Sequence, residues 1–218
     1  MEPLRHDRDH GELDQVLQAY LGQEPDDTPE TRSAALDAYL RHTWHVRPWA
    51  LATAEQQLRG YAASVRDGSA GGQEQAYAMP DTGIANGRLA EWLEHVADHI
   101  RASVEHGDVP HSESPVTHWE WHARFPELAQ LLGGWFSQDM PDEFAGHDEA
   151  LADYAGGSDR FVVARLLGEL TELLALALDE SDYAVAVAEL GMEVDPPVPF
   201  TPGGWLASLP DRLRAAAS

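Results

Sequence analysis

Two pairs of histidines have the spacing that places side chains on one face of a helix. His95 and His99 form one pair, and His118 and His122 form the other. Histidines four positions apart on a helix are a common start of a zinc or nickel site. Two such pairs from facing helices could complete a four-ligand site, so a metal-dependent helical-bundle enzyme is one functional hypothesis. The zinc-protease motif H-E-x-x-H is absent, and the pattern alone is weak.

Other catalytic sites find little support in the composition. The chain has 218 residues and no cysteine, and every one of its 14 basic residues is arginine. Thiol catalysis, cysteine-based zinc sites and phosphate loops with a lysine are therefore impossible. The G-x-S-x-G motif of serine hydrolases is also missing. The common sequence signatures of catalysis are therefore missing.

The charge balance is strongly acidic. The 38 acidic residues outnumber the 14 arginines and give a formal net charge of -24, spread over both halves of the chain. A field of this sign repels nucleic acid and anionic membranes and attracts cationic proteins. It indicates either a surface that meets a basic partner or simple solubility. The polar amino-terminal segment does not resemble a signal peptide, and no apolar run could span a membrane, so we expect a cytoplasmic protein.

Apolar residues recur with the period of a helix in most segments, and no segment alternates as a strand would. Leu13, Val16, Leu17 and Tyr20 give the first such stripe. Further helices are predicted at 34–40, 48–65, 89–104, 147–154, 160–178, 182–190 with Ser181 as its cap, and 205–216. The glycine-rich segment 66–87 is predicted to be a loop. The predicted fold class is all-α, without a significant sheet.

The first stripe returns later in the chain. Residues 12–39 align with residues 127–154 without a gap, and nine positions are identical. Near the end of each copy, Trp92 matches Trp205. We therefore predict two tandem related helical units that arose by internal duplication. The predicted boundaries are a flexible lead-in at 1–11, a first unit at 12–106, a linker at 107–124 and a second unit at 125–218.

The second half resembles the all-helical immunity proteins of bacterial contact-dependent growth inhibition (CDI) and related polymorphic toxin systems. The resemblance rests on Pro126-Glu127-Leu128, Trp135-Phe136 with Gln138-Asp139, Glu149-Ala150-Leu151, the stretch from Gly191 to Pro197, and Trp205-Leu206. The first half resembles the family mainly through its match to the second. The resemblance implies a non-enzymatic protein, with no catalytic residues and no cofactor, that binds a cognate toxin domain and covers its active site. Many such toxins are basic nucleases.

Acidic residues cluster after the first helix of each copy and are the candidate toxin contacts. They are Glu24, Asp26, Asp27, Asp139, Asp142, Glu143, Asp148 and Glu149. The competing interpretation is that they cap helices and close turns, as an aspartate before a helix usually does. Besides the histidine enzyme, a structural or regulatory helical adaptor is a further alternative. Which unit binds the toxin, and whether the chain forms oligomers, stay open at this point.

Overall fold

The computed structural model of the protein describes residues 3–68, 82–111, 113–176 and 178–216, and within them all regular structure is helical. This confirms the all-α prediction. Most of the predicted glycine-rich loop, residues 69–81, lies outside the described residues. The chain divides into two compact units, Met1–Ser112 and Glu113–Ser218. No described helix is long and apolar enough to cross a membrane.

The described part of the first unit contains four helices. They are α1 (Pro3–Ala19), α2 (Ala34–Val46), α3 (Ala50–Arg66) and α4 (Asn86–His106). Helices α3 and α4 pack along each other, and Arg59 of α3 joins them by ion pairs to Glu94 and Asp98. Gly107 ends α4 in the left-handed conformation (φ 62°), as its position after the apolar stripe predicts.

Helix α1 begins at Pro3, so the flexible lead-in predicted for 1–11 is wrong over residues 3–11. The apolar stripe starts only at Glu12 because the preceding turns are polar. The Gln57 side chain bridges α1 where the stripe begins. Its amide donates to the Arg8 carbonyl, and its oxygen accepts from the N–H groups of Glu12 and Leu13. The Arg8 carbonyl and the Glu12 N–H lie one helical turn apart. The Gln57 side chain therefore ties the polar first turns of α1 to the turn where its apolar stripe begins.

The described part of the second unit contains seven helices. They are α5 (His118–Arg124), α6 (Pro126–Trp135), α7 (Met140–Glu143), α8 (His147–Gly157), α9 (Arg160–Ala175), α10 (Glu180–Glu189) and α11 (Pro202–Ala216). Their apolar faces enclose one core that includes Phe125, Phe136, Tyr154 and Trp205. The long apolar helix α9 contributes Leu166, Leu170 and Leu173 to this core.

Two local predictions for the second unit need correction. Helix α5 lies within the predicted linker 107–124, because Thr117 caps it and Trp121 is buried in the core. Helix α10 is capped by Asp179 rather than Ser181. The Asp179 carboxylate accepts from the Asp182 N–H at 2.9 Å, and the Asp182 side chain accepts in return from the Asp179 N–H. The Ser181 hydroxyl donates to Asp179 and thereby supports the cap.

Candidate functional site

The turn between α6 and α8 presents three free carboxylates. Asp139, Asp142 and Glu143 are exposed, and within the described residues their side chains make no hydrogen bond or ion pair. Met140 is buried and anchors the short helix α7 beneath them. The main chain is fixed further by Glu193, whose carboxylate accepts from the Gln138 N–H at 2.9 Å. The turn therefore holds a patch of negative charge in a defined position.

The first turn of α8 extends this negative surface. Asp148 and Glu149 are exposed and lie where the helix dipole favours negative charge. Glu149 accepts a hydrogen bond from the Ala145 N–H at 2.6 Å, and Asp148 forms an ion pair with Arg212. We call the set Asp139, Asp142, Glu143, Asp148 and Glu149 the acidic surface.

A cleft with both polar and apolar walls opens beside Asp148 and Glu149 of the acidic surface. The cleft has a volume of about 520 Å³, and its other walls include Val198, Phe200 and Arg212. Val198 is 95% exposed, and the Arg212 guanidinium lies 5.2 Å from the centre of the Phe200 ring. Apolar groups within a charged rim are the usual composition of a protein–protein interface.

The four histidines of the metal hypothesis have other partners. The His99 Nε2 lies 2.7 Å from the Thr28 carbonyl oxygen, and His95 lies near Glu91. The His118 Nδ1 lies 2.9 Å from a carboxylate oxygen of Glu189, and the His122 Nε2 lies 2.8 Å from the Glu189 carbonyl oxygen. The two pairs belong to different units. Among the described residues, no three His, Asp or Glu side chains are grouped so that they could hold a metal ion.

A comparison with protein families identifies the second unit. Residues 124–213 match the family model described as CdiI immunity protein. The second unit is a CdiI immunity domain. The match confirms the resemblance found in the sequence and implies a toxin-neutralising function, with a cognate toxin as the protein partner. It also suggests a non-enzymatic role. Searches of curated proteins and of solved structures found no match.

The acidic surface and the cleft beside it both belong to the CdiI immunity domain, whereas the first unit lies outside the matched residues. All five residues of the acidic surface are predicted from the sequence, whereas Val198, Phe200 and Arg212 come from a distant segment and are not. No sequence signal marks that segment, because its acid-free run at 196–210 is shorter than the one at 38–54.

The candidate contacts in the first unit do not share one role. Glu24 and Asp26 are exposed, but Asp27 is only 6% exposed. Its carboxylate accepts from the Tyr20 hydroxyl at 2.8 Å, the Ser33 N–H at 2.8 Å and the Trp92 indole at 3.3 Å. Burial, together with the nearby Asp27 charge, raises the pKa of Tyr20 well above its usual value. Asp27 is therefore a structural residue, and we remove it from the candidate contacts.

Proposed function

We propose that the chain neutralises one cognate basic nuclease toxin by covering its active site with the acidic surface of the CdiI immunity domain. The match of residues 124–213 to the immunity family carries this proposal, and the free carboxylates of Asp139, Asp142 and Glu143 support it. The complex would form in the cytoplasm. We expect no chemical step, since inhibition by binding requires none.

The charge of the chain suits such a target. A nuclease needs a positive surface to bind phosphate groups, and an acidic inhibitor can occupy that surface in place of the nucleic acid. Complementary charge raises the association rate and makes it sensitive to salt. Apolar contacts by the exposed Val198 and the half-buried Phe200 would add affinity in the centre of the interface.

Growth rescue tests the proposed function. Cells would express the toxic domain encoded beside this gene, with and without the protein, and the purified pair would be tested for co-elution. Rescue together with a complex is the expected result. Lack of rescue and of a complex with any neighbouring toxin domain would overturn the proposal. Capture of an endogenous protein that is no toxin would instead favour a structural or regulatory adaptor.

Charge reversal locates the surface. Asp142→Arg combined with Glu143→Arg should lower the association rate about 10-fold or more and flatten its salt dependence. The matched control is a double reversal at Asp67 and Glu105, two exposed acids of the first unit that are not candidate contacts, which changes the net charge equally. We expect the control to lower the rate less than about 3-fold. Equal effects of the two double variants would show that only net charge matters and that the acidic surface is not the contact.

A further inference from the structure

A second cleft opens on the immunity domain between α6, α8 and the start of α9. Its volume is about 700 Å³, and its walls include Trp135, Asp153, Asp159 and Val162. It combines an aromatic ring, two carboxylates and two glycines, which have no side chain to fill the space. Each of these features indicates the kind of group that would fit.

The aromatic ring is held in place by its neighbours. The Trp135 indole N–H donates to Asp153 Oδ2 at 2.9 Å. The ring also meets Tyr154 edge to face, with 5.0 Å between the ring centres. Because Tyr154 is fully buried, it gives Trp135 a rigid support. A partner group therefore meets a prearranged ring and loses little entropy in ordering it.

Each carboxylate keeps one oxygen available. Asp153 uses Oδ2 for the Trp135 indole, and Asp159 uses Oδ1 to cap α9 by accepting from the Phe161 N–H at 2.7 Å. Within the described residues, no hydrogen bond or ion pair occupies the other oxygen of either group. These bonds orient the carboxylates, so a cation in the cleft would meet fixed acceptors beside an aromatic ring. A guanidinium group pairs with carboxylates and stacks on aromatic rings, which an ammonium group does less well.

Two exposed glycines, Gly156 and Gly157, line the cleft. A Cβ atom built on Gly156 or Gly157 would meet no atom within 4 Å apart from its own helix and chain neighbours, so both positions face open space. Both residues lie in the last turn of α8, where alanine would form a helix more readily than glycine. The glycines thus leave room at some cost in helix stability.

The cleft continues the acidic surface along α8. Glu149, Asp153 and Gly156 follow each other at i, i+4 and i+7, so they lie along one stripe of the helix. The first unit differs at the same positions. When the alignment of the two copies is continued without a gap, Ala38, Arg41 and His42 stand opposite Asp153, Gly156 and Gly157. Only the second copy combines a carboxylate with glycines at these positions.

We propose that this cleft receives an arginine side chain of the toxin, with the guanidinium beside Trp135 and paired with Asp153 and Asp159. The proposal rests on the proposed toxin-binding function and specifies how the partner is recognised. It adds a defined pocket for one cation to the more general attraction of the acidic surface. Such a pocket would let the domain distinguish its own toxin from other basic proteins.

Filling the cleft provides the main test. Gly156→Arg introduces arginine, the residue that the first copy has at the aligned position 41. Gly156→Ala is the matched control, which adds only a methyl group. We expect Gly156→Arg to weaken toxin binding about 100-fold in calorimetry, and Gly156→Ala to bind within about 3-fold of the wild type. Both variants should unfold at or above the wild-type temperature, since both replace a helical glycine. Wild-type affinity of Gly156→Arg would overturn the cleft proposal.

A double-mutant cycle tests the charge pair directly. Asp153→Asn keeps an acceptor for the Trp135 indole and removes the charge, so it should weaken binding about 10-fold. If one toxin arginine occupies the cleft, changing that arginine to alanine weakens binding by itself. In that background, Asp153→Asn should lower the affinity for the toxin very little further. Additive losses for every toxin arginine would overturn the proposal while leaving the toxin-binding function intact. A wild-type protein that binds no toxin would overturn the function itself.

Discussion

The two units build the same aromatic contact but satisfy its polar atoms differently. In the first unit, Tyr20 meets Trp92 edge to face, with 4.8 Å between ring centres and 82° between ring planes. In the second, Phe136 meets Trp205 at 4.9 Å and 80°. The Trp92 indole donates to Asp27, whereas the Trp205 indole N–H is buried without a partner among the described residues. The two contacts share their geometry, although the alignment of the two copies pairs Tyr20 with Trp135 rather than with Phe136.

Because of this difference, the aspartates at one aligned position, Asp27 and Asp142, have different roles. Asp27 and Asp142 occupy the same place in the alignment, yet Asp27 is a buried acceptor and Asp142 is an exposed charge. The first unit has a tyrosine hydroxyl that needs an acceptor, and Asp27 supplies it. Phe136 has no hydroxyl, and Asp142 does not accept from the buried Trp205 indole N–H either. The turn of the second unit is then free to present its acids to a partner.

The largest expected effect is at Asp27. Asp27→Ala leaves the Tyr20 hydroxyl, the Ser33 N–H and the Trp92 indole without their acceptor, all in a buried site. We expect the first unit to lose about 3 kcal/mol of its free energy of unfolding, measured in urea. Asp142→Ala is the aligned control and should change stability by less than about 0.5 kcal/mol. A similar loss for both variants would contradict the distinction between a buried and a free carboxylate.

The two tryptophans give a smaller and sharper test. Trp92→Phe and Trp205→Phe both leave a cavity, but only the first removes a hydrogen bond to a carboxylate. We expect Trp92→Phe to cost about 1 kcal/mol more than Trp205→Phe in urea unfolding. In an Asp27→Ala background this excess should disappear, because the acceptor is already gone. An excess that persists would show that cavity size alone separates the two sites.

Much of the fold follows from apolar spacing, and its errors have definite causes. The stripe at Leu13, Val16 and Leu17 is fully buried, as predicted. The alignment fails at the next position because Leu21 is 49% exposed whereas its counterpart Phe136 is buried. In the alignment, helix α6 ends one position later than α1. The buried aromatic residue is correspondingly one position later as well: it is Tyr20 in the first unit and Phe136 in the second. The residue at which a helix ends depends on tertiary contacts, which the spacing of apolar residues does not predict.

The candidate site was predictable only in part. Exposure of Asp139, Asp142 and Glu143 agrees with their place in a polar turn. The burial of Asp27 depends on Trp92, which is distant in the sequence, so no local pattern predicts it. The cleft at Gly156 likewise forms between three elements. Features assembled from distant segments require the structure, whereas single charged turns do not.

The smallest expected effect on stability concerns the backbone N–H groups at the start of the apolar stripe, which are bonded by a different side chain in each unit. In the first unit, the neutral Gln57 accepts from the N–H groups of Glu12 and Leu13. In the second, the carboxylate of Glu169 accepts from those of Glu127 and Leu128, at 3.2 and 2.8 Å. Burial raises the pKa of Glu169, although both N–H bonds oppose the shift. The second unit therefore holds a partly desolvated charge where the first holds an amide.

Replacing Glu169 by Gln should remove that cost while keeping an acceptor. Because its folded-state pKa is raised, Glu169 favours folding most at low pH, and this contribution is lost as the pH rises through that pKa. We expect Glu169→Gln to match the wild type near pH 4 and to be more stable by about 0.5 kcal/mol at pH 7, measured by urea unfolding. The reciprocal Gln57→Glu should destabilise the first unit at pH 7, and less so at pH 4. A Glu169→Gln variant that is less stable at pH 7 would mean that the negative charge strengthens the two N–H bonds by more than its burial costs.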